Sequence, residues 1–265
     1  MVAREGAGKS VGDEDVEVGM NGRRVALSFA IIASAMMGAA TTVSAEPRGV
    51  VELFTSQGCS SCPAADKLAG ELAKDPSLVV MTLAVDYWDY LGWKDTLAIA
   101  GHTNRQRAYS KVRGDREVYT PQVVVNGVTH VIGSDQKAIE NAVTQTRKQA
   151  GTLSVPVGVS IAGDQISVSV PAAANSAKGE IWLCPITRTV PVEIGKGENS
   201  GKTITYTNVV RRWVKLGEWT GAARNFKVPV SDVTGAGGDA VAVVVQAGPK
   251  DAPSTMLGAA ITALP

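Results

Sequence analysis

Gly49-Val50-Val51-Glu52-Leu53-Phe54-Thr55, then Ser56-Gln57-Gly58, then Cys59-Ser60-Ser61-Cys62-Pro63, is the stretch on which the reading of this chain turns. The first seven residues read as a buried strand, the next three as a turn, and Pro63 to Lys74 as a helix. Two cysteines separated by two residues at a helix start can close a disulfide between neighbouring positions. The helix N-terminus also sets partial positive charge and unpaired N–H groups beside the first sulfur, which lowers a thiol pKa and favours the thiolate. This spacing points to thiol–disulfide exchange. A bridge across two residues removes little chain entropy, so it suits reaction better than stapling.

Downstream, residues 49–149 alternate strand and helix. Leu78 to Asp86 is a continuous apolar run suited to a parallel strand covered on both faces. A helix is expected from a cap at Asp95 to about Val112. Thr120-Pro121 leads into Gln122 to Val125, and Asn126-Gly127 between β-branched runs is a strong hairpin signal because both turn residues need positive φ. Ser134 is expected to cap a last helix carrying Ala138, Ile139, Ala142 and Val143 as its apolar stripe.

From Gly151 the character changes. Leu153, Val155, Val157, Val159 and Ile161 alternate with small or polar residues, and Ile166, Val168 and Val170 continue the pattern after Gly163-Asp164. Further strands are expected over 180–186, 190–194, 202–207, 209–216, 226–230, 240–246 and 255–262. Many short strands with Gly, Pro and Asn turns suggest a β-sandwich.

The N-terminus carries its own signal. Met20-Asn21-Gly22-Arg23-Arg24 is basic, Val25 to Val43 is apolar, and Val43-Ser44-Ala45 ends in small residues, the order of a secretory signal peptide. Residues 20–45 are therefore expected to be removed, and acidic, Gly-rich residues 1–19 read as an over-extended start. Export to the periplasm or beyond would place the cysteines in an oxidising compartment, in a mature form that does not span a membrane. A formal net charge of +1 gives no electrostatic argument for nucleic acid as a partner.

The β-α-β and β-β-α order, the Cys59/Cys62 pair at the first helix start and Thr120-Pro121 before the hairpin resemble the thioredoxin fold. Val51 to Pro63, Val85-Asp86-Tyr87-Trp88-Asp89-Tyr90-Leu91-Gly92-Trp93, and Tyr119 to Gly127 together are similar to an uncharacterised bacterial family of secreted proteins, a thioredoxin-like domain followed by a β-rich domain. The implied class is an α/β thioredoxin-like domain over 46–150 and an all-β, sandwich-like domain over 151–265. The resemblance makes Cys59 the nucleophile and Cys62 the resolving thiol, and makes Pro121 cis, with Thr120 offering backbone groups to a bound peptide. It departs from thioredoxins at Gly58, where they carry an aromatic residue, at the Ser60-Ser61 pair, and at Glu52, one residue further from the motif than their buried acid.

The leading expectation is an extracytoplasmic thiol–disulfide oxidoreductase whose partners are protein or small-molecule thiols and disulfides. The alternative is a secreted binding module with a structural disulfide. Tyr87 and Trp88 belong to an aromatic run, in a chain of five Trp, five Tyr and three Phe, that leaves the sheet on the Cys59 rim. That run is either a wall of a substrate groove or packing. Metal binding would need further ligands from Cys184, His102, His130 or Met, without a second paired motif. No phosphate loop calls for a cofactor. His102 and His130 read as solvent-facing or structural, Cys184 as a small buried hydrophobe, and Arg105, Arg107, Lys111 and Arg113 as a solvated helix face. Arg211-Arg212-Trp213 reads as a strand-edge pair with snorkelling stems.

Overall fold

In a computed structural model, residues 46–173 and 178–265 are described. The expected start and signal peptide lie outside them. In chain order, β1 (Gly49–Thr55), α1 (Cys62–Leu72), β2 (Leu78–Ala84), α2 (Ala100–Arg113), β3 (Gln122–Val125), β4 (Thr129–Ile132) and α3 (Gln136–Arg147) make up the first part. They are followed by β5 (Gly158–Ala162), β6 (Gln165–Val170), β7 (Gly179–Glu193), β8 (Thr203–Val210), β9 (Val214–Trp219), β10 (Arg224–Pro229), α4 (Val230–Thr234), β11 (Ala240–Ala247) and β12 (Met256–Ala263). Among the described residues no helix is long and apolar enough to cross a membrane.

The expected class, an α/β thioredoxin-like domain followed by a separate β-sandwich-like domain, is corrected by the sheet. One nine-stranded mixed sheet runs β12-β11-β7-β8-β2-β1-β3-β4, with β9 also on β7, and a second sheet holds only β10-β6-β5. The large sheet therefore passes from strands before residue 150 to strands after it. The join is β2 with β8, parallel at Thr82 and Val209. The Thr82 hydroxyl donates to the Thr207 carbonyl at 2.5 Å, and Asn208 Nδ2 donates to the Val80 carbonyl at 3.0 Å. Alternation of apolar residues reports which face a side chain takes, but not which edge a strand joins. An unpaired β2 edge would leave a row of open N–H and C=O groups, and β8 covers part of it.

The period of two then sorts the core. On one face Val50, Phe54, Met81 and Leu83 continue into Trp182, Cys184, Ala242 and Val244, with Tyr109 of α2 packed on them. The other face is divided. Val51, Leu53, Val80 and Val123 meet Ala65 and Ala69 of α1 and Ile139 and Val143 of α3. Ile181, Leu183, Val241 and Val243 meet Ile166, Val168 and Val228 of the small sheet.

The Asn-Gly hairpin is formed with φ of 52° at Asn126 and 69° at Gly127. It is no surface turn: Asn126 is buried, its Oδ1 accepts from Val50 N at 2.7 Å, and its Nδ2 donates to Thr146 Oγ1 at 2.8 Å. A Cβ on Gly127 would lie 2.1 Å from the Ser254 carbonyl oxygen, so glycine is required there by close approach as well as by φ. Elsewhere boundaries shift. Asp135, not Ser134, caps α3, accepting from Ala138 N at 2.9 Å. The runs expected at 180–186 and 190–194 are one fifteen-residue strand, β7.

Candidate functional site

Ser56 to Ser61 carry the chain from β1 into α1. Cys62 is the first residue of the helix and Pro63 lies in its first turn, where a missing N–H costs nothing. Cys59 and Cys62 are joined in a disulfide, with Cα atoms 5.4 Å apart. The Ser61 hydroxyl lies 3.4 Å from Cys59 Sγ. Ser60 and Ser61 are exposed, yet Cys59 is only 2% exposed and Cys62 is fully buried.

Two features cover the bridge. The first is the aromatic run: the missing side chain of Gly58 leaves room for Trp88, whose Cβ would be 3.0 Å from a Cβ placed there. Trp88 Nε1 donates to Thr120 Oγ1 at 2.7 Å, and its ring stacks on Tyr90, which is 78% exposed. The Thr120–Pro121 bond is cis, and Gly133 sits between Pro121 and Ala65 of α1. Tyr87 packs beside Trp88, and burial raises its hydroxyl pKa against the opposing effect of Gln106 and Thr120. Trp88 thus borders the cysteine turn at Gly58 and holds Thr120, Pro121 lies across Gly133 from Ala65, and Tyr87 and Trp88 both pack on the core.

The second cover comes from residues 194–202, the connection between β7 and β8. Buried Asn199 donates through Nδ2 to the carbonyls of Gln57 at 3.0 Å and Cys59 at 2.8 Å. Glu198 accepts from Ser60 N at 3.3 Å. Trp93 lies against Gly195 and Gly197 of this loop and donates to Gln57 Oε1 at 2.8 Å. Gln57 N in turn donates to Asp95 at 2.8 Å. Asp95 also accepts from Leu97 N and Ala98 N, but α2 begins later, at Ala100. No local turn chemistry could have marked Asn199, since its partners lie 140 and 142 positions away.

Beneath the bridge lies Asp66, one helical turn past Cys62 on the same buried face of α1. Among the described residues neither of its oxygens meets a hydrogen-bond partner at full geometry. Burial raises its carboxyl to about 8, the Thr55 hydroxyl giving partial relief and the Asp95 charge adding to the rise. Tyr206 of β8 is buried nearby, and burial with the charges of Asp66 and Asp95 raises its hydroxyl. Sequence reasoning misses Asp66; its signal is a carboxylate four residues after Cys62 on an apolar stripe.

Glu52 takes no part in this turn. Its Oε1 accepts from Arg105 Nε at 2.7 Å and its Oε2 from the Tyr109 hydroxyl at 2.5 Å. Arg105, expected on a solvated face, is 7% exposed and also donates to Tyr109 and Gln246. His102 is buried with Nδ1 3.0 Å from the Ala84 carbonyl, and burial lowers its pKa to about 4. His130 lies against Tyr119 and Asp115. Cys184 is free and buried, which raises its thiol pKa. Among the described residues no group of three or more His, Cys, Asp or Glu could hold a metal ion.

A family model described as a protein of unknown function, DUF1223, matches residues 50–246. No curated protein matches. The crystal structure of protein AGR_C_4864 from Agrobacterium tumefaciens is similar at 34% identity and a TM-score of 0.74, covering 83% of this chain and 95% of that one. HBP35 of Porphyromonas gingivalis is similar at 12% identity and a TM-score of 0.54, over 83% of this chain and 76% of that one, a likeness of fold alone.

Proposed function

The chain belongs to the DUF1223 family, proteins of unknown function, and we propose that this member is an extracytoplasmic thiol–disulfide oxidoreductase working through Cys59 and Cys62. The observation that carries the reading is a closed cysteine pair at the start of α1 with a buried carboxyl one turn further on. The basic, apolar and small-residue order of residues 20–45 supports export.

In the reduced protein the Cys59 thiolate, favoured by the helix start, attacks one sulfur of a substrate disulfide. The substrate's other sulfur leaves as a thiolate, and a mixed disulfide to Cys59 remains. Cys62 gives its proton to Asp66 in its carboxylate form, which fills as pH approaches and passes about 8, then attacks Cys59 Sγ and displaces the second substrate thiolate. Two electrons pass to the substrate, and the Cys59–Cys62 bond closes. The same steps in reverse oxidise a substrate dithiol. Trp88, Tyr90, Thr120 and Pro121 supply the contact surface beside the pair. With Cys59 only 2% exposed, the 194–202 loop has to shift before a substrate sulfur reaches it.

That cover favours a second reading, a structural bridge in a binding module. Equilibration with glutathione or dithiothreitol separates the two. Exchange chemistry expects a reduction potential above about −300 mV, and a structural bridge a lower one. A Cys62→Ser variant should capture mixed disulfides that a Cys59→Ser, Cys62→Ser variant does not. Full disulfide-reductase activity in Cys59→Ser would rule the mechanism out.

A further inference from the structure

The Arg-Arg-Trp cluster at 211–213 is not a strand edge but the connection between β8 and β9, and its Arg212 and Trp213 form one wall of a cavity of about 770 Å³ whose other wall is α2. That volume is in the range of small-molecule sites. Its floor is aromatic: Trp182 and Trp213 meet edge to face with centroids 6.3 Å apart, and the Arg105 guanidinium lies 4.0 Å over the Trp213 ring. Arg105 is already neutralised by Glu52. The Trp213 indole N–H is buried and has no acceptor among the described residues.

The rim is cationic. Arg107 and Lys111 of α2, with Arg212 and Lys250, line the opening, against one carboxylate, Asp251. Among the described residues none of the four forms an ion pair. Arg212 donates to the Asp232 carbonyl, at 2.6 Å. In a chain of net charge +1, four cations against one carboxylate around one cavity are a local concentration of positive charge. Such a rim draws in anions and raises their association rate.

We infer that this groove binds a small amphiphilic organic anion, with its acidic head among Arg107, Arg212 and Lys250 and its apolar body on Trp182 and Trp213. A free inorganic anion would leave the aromatic floor wet. A neutral apolar ligand would leave the rim unanswered. The site stands apart from the cysteine chemistry and does not depend on it.

The test is titration of the protein with dodecanoate, followed by tryptophan fluorescence and calorimetry, beside dodecyltrimethylammonium and dodecanol as same-tail controls. Dodecanoate should bind at least about tenfold more tightly than either control, a difference of about 1.4 kcal/mol or more, and should weaken as salt rises. Arg107→Glu with Lys250→Glu, both exposed, should weaken dodecanoate about tenfold or more and leave thermal stability unchanged. Equal binding of the cationic amphiphile, or dodecanoate binding unchanged by charge reversal, would overturn the inference. So would binding to phosphatidylglycerol vesicles with none to dodecanoate, which would make the patch a membrane-surface site. The same titration in Cys59→Ser should give the same result, whatever the cysteines do.

Discussion

Glu52 and Asp66 are both carboxylates withdrawn from water, one on β1 and the other on the helix that follows it, and their surroundings differ. Glu52 is met by Arg105, whose guanidinium is shared with Tyr109 and Gln246, so both of its oxygens are bonded and its charge is answered. Asp66 meets no cation among the described residues, and burial raises its carboxyl to about 8. Burial sets the cost of a charge; partners decide whether the charge is kept or the proton is. One site is therefore a tie between β1, α2 and β11, and the other is a proton store beneath a disulfide.

The comparison breaks most severely at Arg105. Arg105→Ala leaves Glu52 buried and unpaired and should cost about 3–5 kcal/mol in urea unfolding. A loss below about 1 kcal/mol would mean that the network is not a tie at all.

Asp66→Asn goes the other way. The native carboxyl titrates near 8 and the unfolded one near 3.8, so the unfolded state gives up its proton first. The stability of the parent should therefore fall as pH rises from about 4 to 8 and level off above. The asparagine variant lacks that slope, and its advantage should grow by roughly 2–4 kcal/mol across the window. Thermal melts at several pH values measure it; parallel curves would show that Asp66 is ionised in the fold. The variant should also slow the Cys62 step more at about pH 9, where Asp66 is a carboxylate able to take the proton, than at about pH 6, where it already holds one.

The smallest effect is expected at Asn199. Asn199→Ala removes two hydrogen bonds to the cysteine turn, costing about 1–2 kcal/mol. It should speed reduction of the Cys59–Cys62 bond by dithiothreitol severalfold, because the covering loop is held less firmly. An unchanged rate would show that the loop does not control access.

Much of this is legible from local pattern. The strand, turn and helix around Cys59, the positive φ at Asn126-Gly127 and the apolar stripe of α3 all rest on residues within a few positions of each other. Arg105 is not legible: an Arg among charged neighbours on a helix reads as solvated, and only Glu52 and Gln246, the latter 141 positions away, make its burial tolerable. The polar stretch in the middle of β7, Thr187 to Thr189, falls between two strands expected over 180–186 and 190–194. In the fold that segment continues as a strand, with Thr187 paired to Val209 and Thr189 to Thr207 on β8.

By itself the chain determined the cysteine pair, the turn that presents it and most strand positions, since side-chain alternation, helix starts and turn φ angles depend on near neighbours. Tertiary structure alone decided that β8 joins β2 and makes one sheet of what alternation divides, that Asn199 closes over Cys59, and that Trp213 and Arg107 face one cavity. Those outcomes depend on edges and buried polar groups finding partners far along the chain, and no local period encodes the partner.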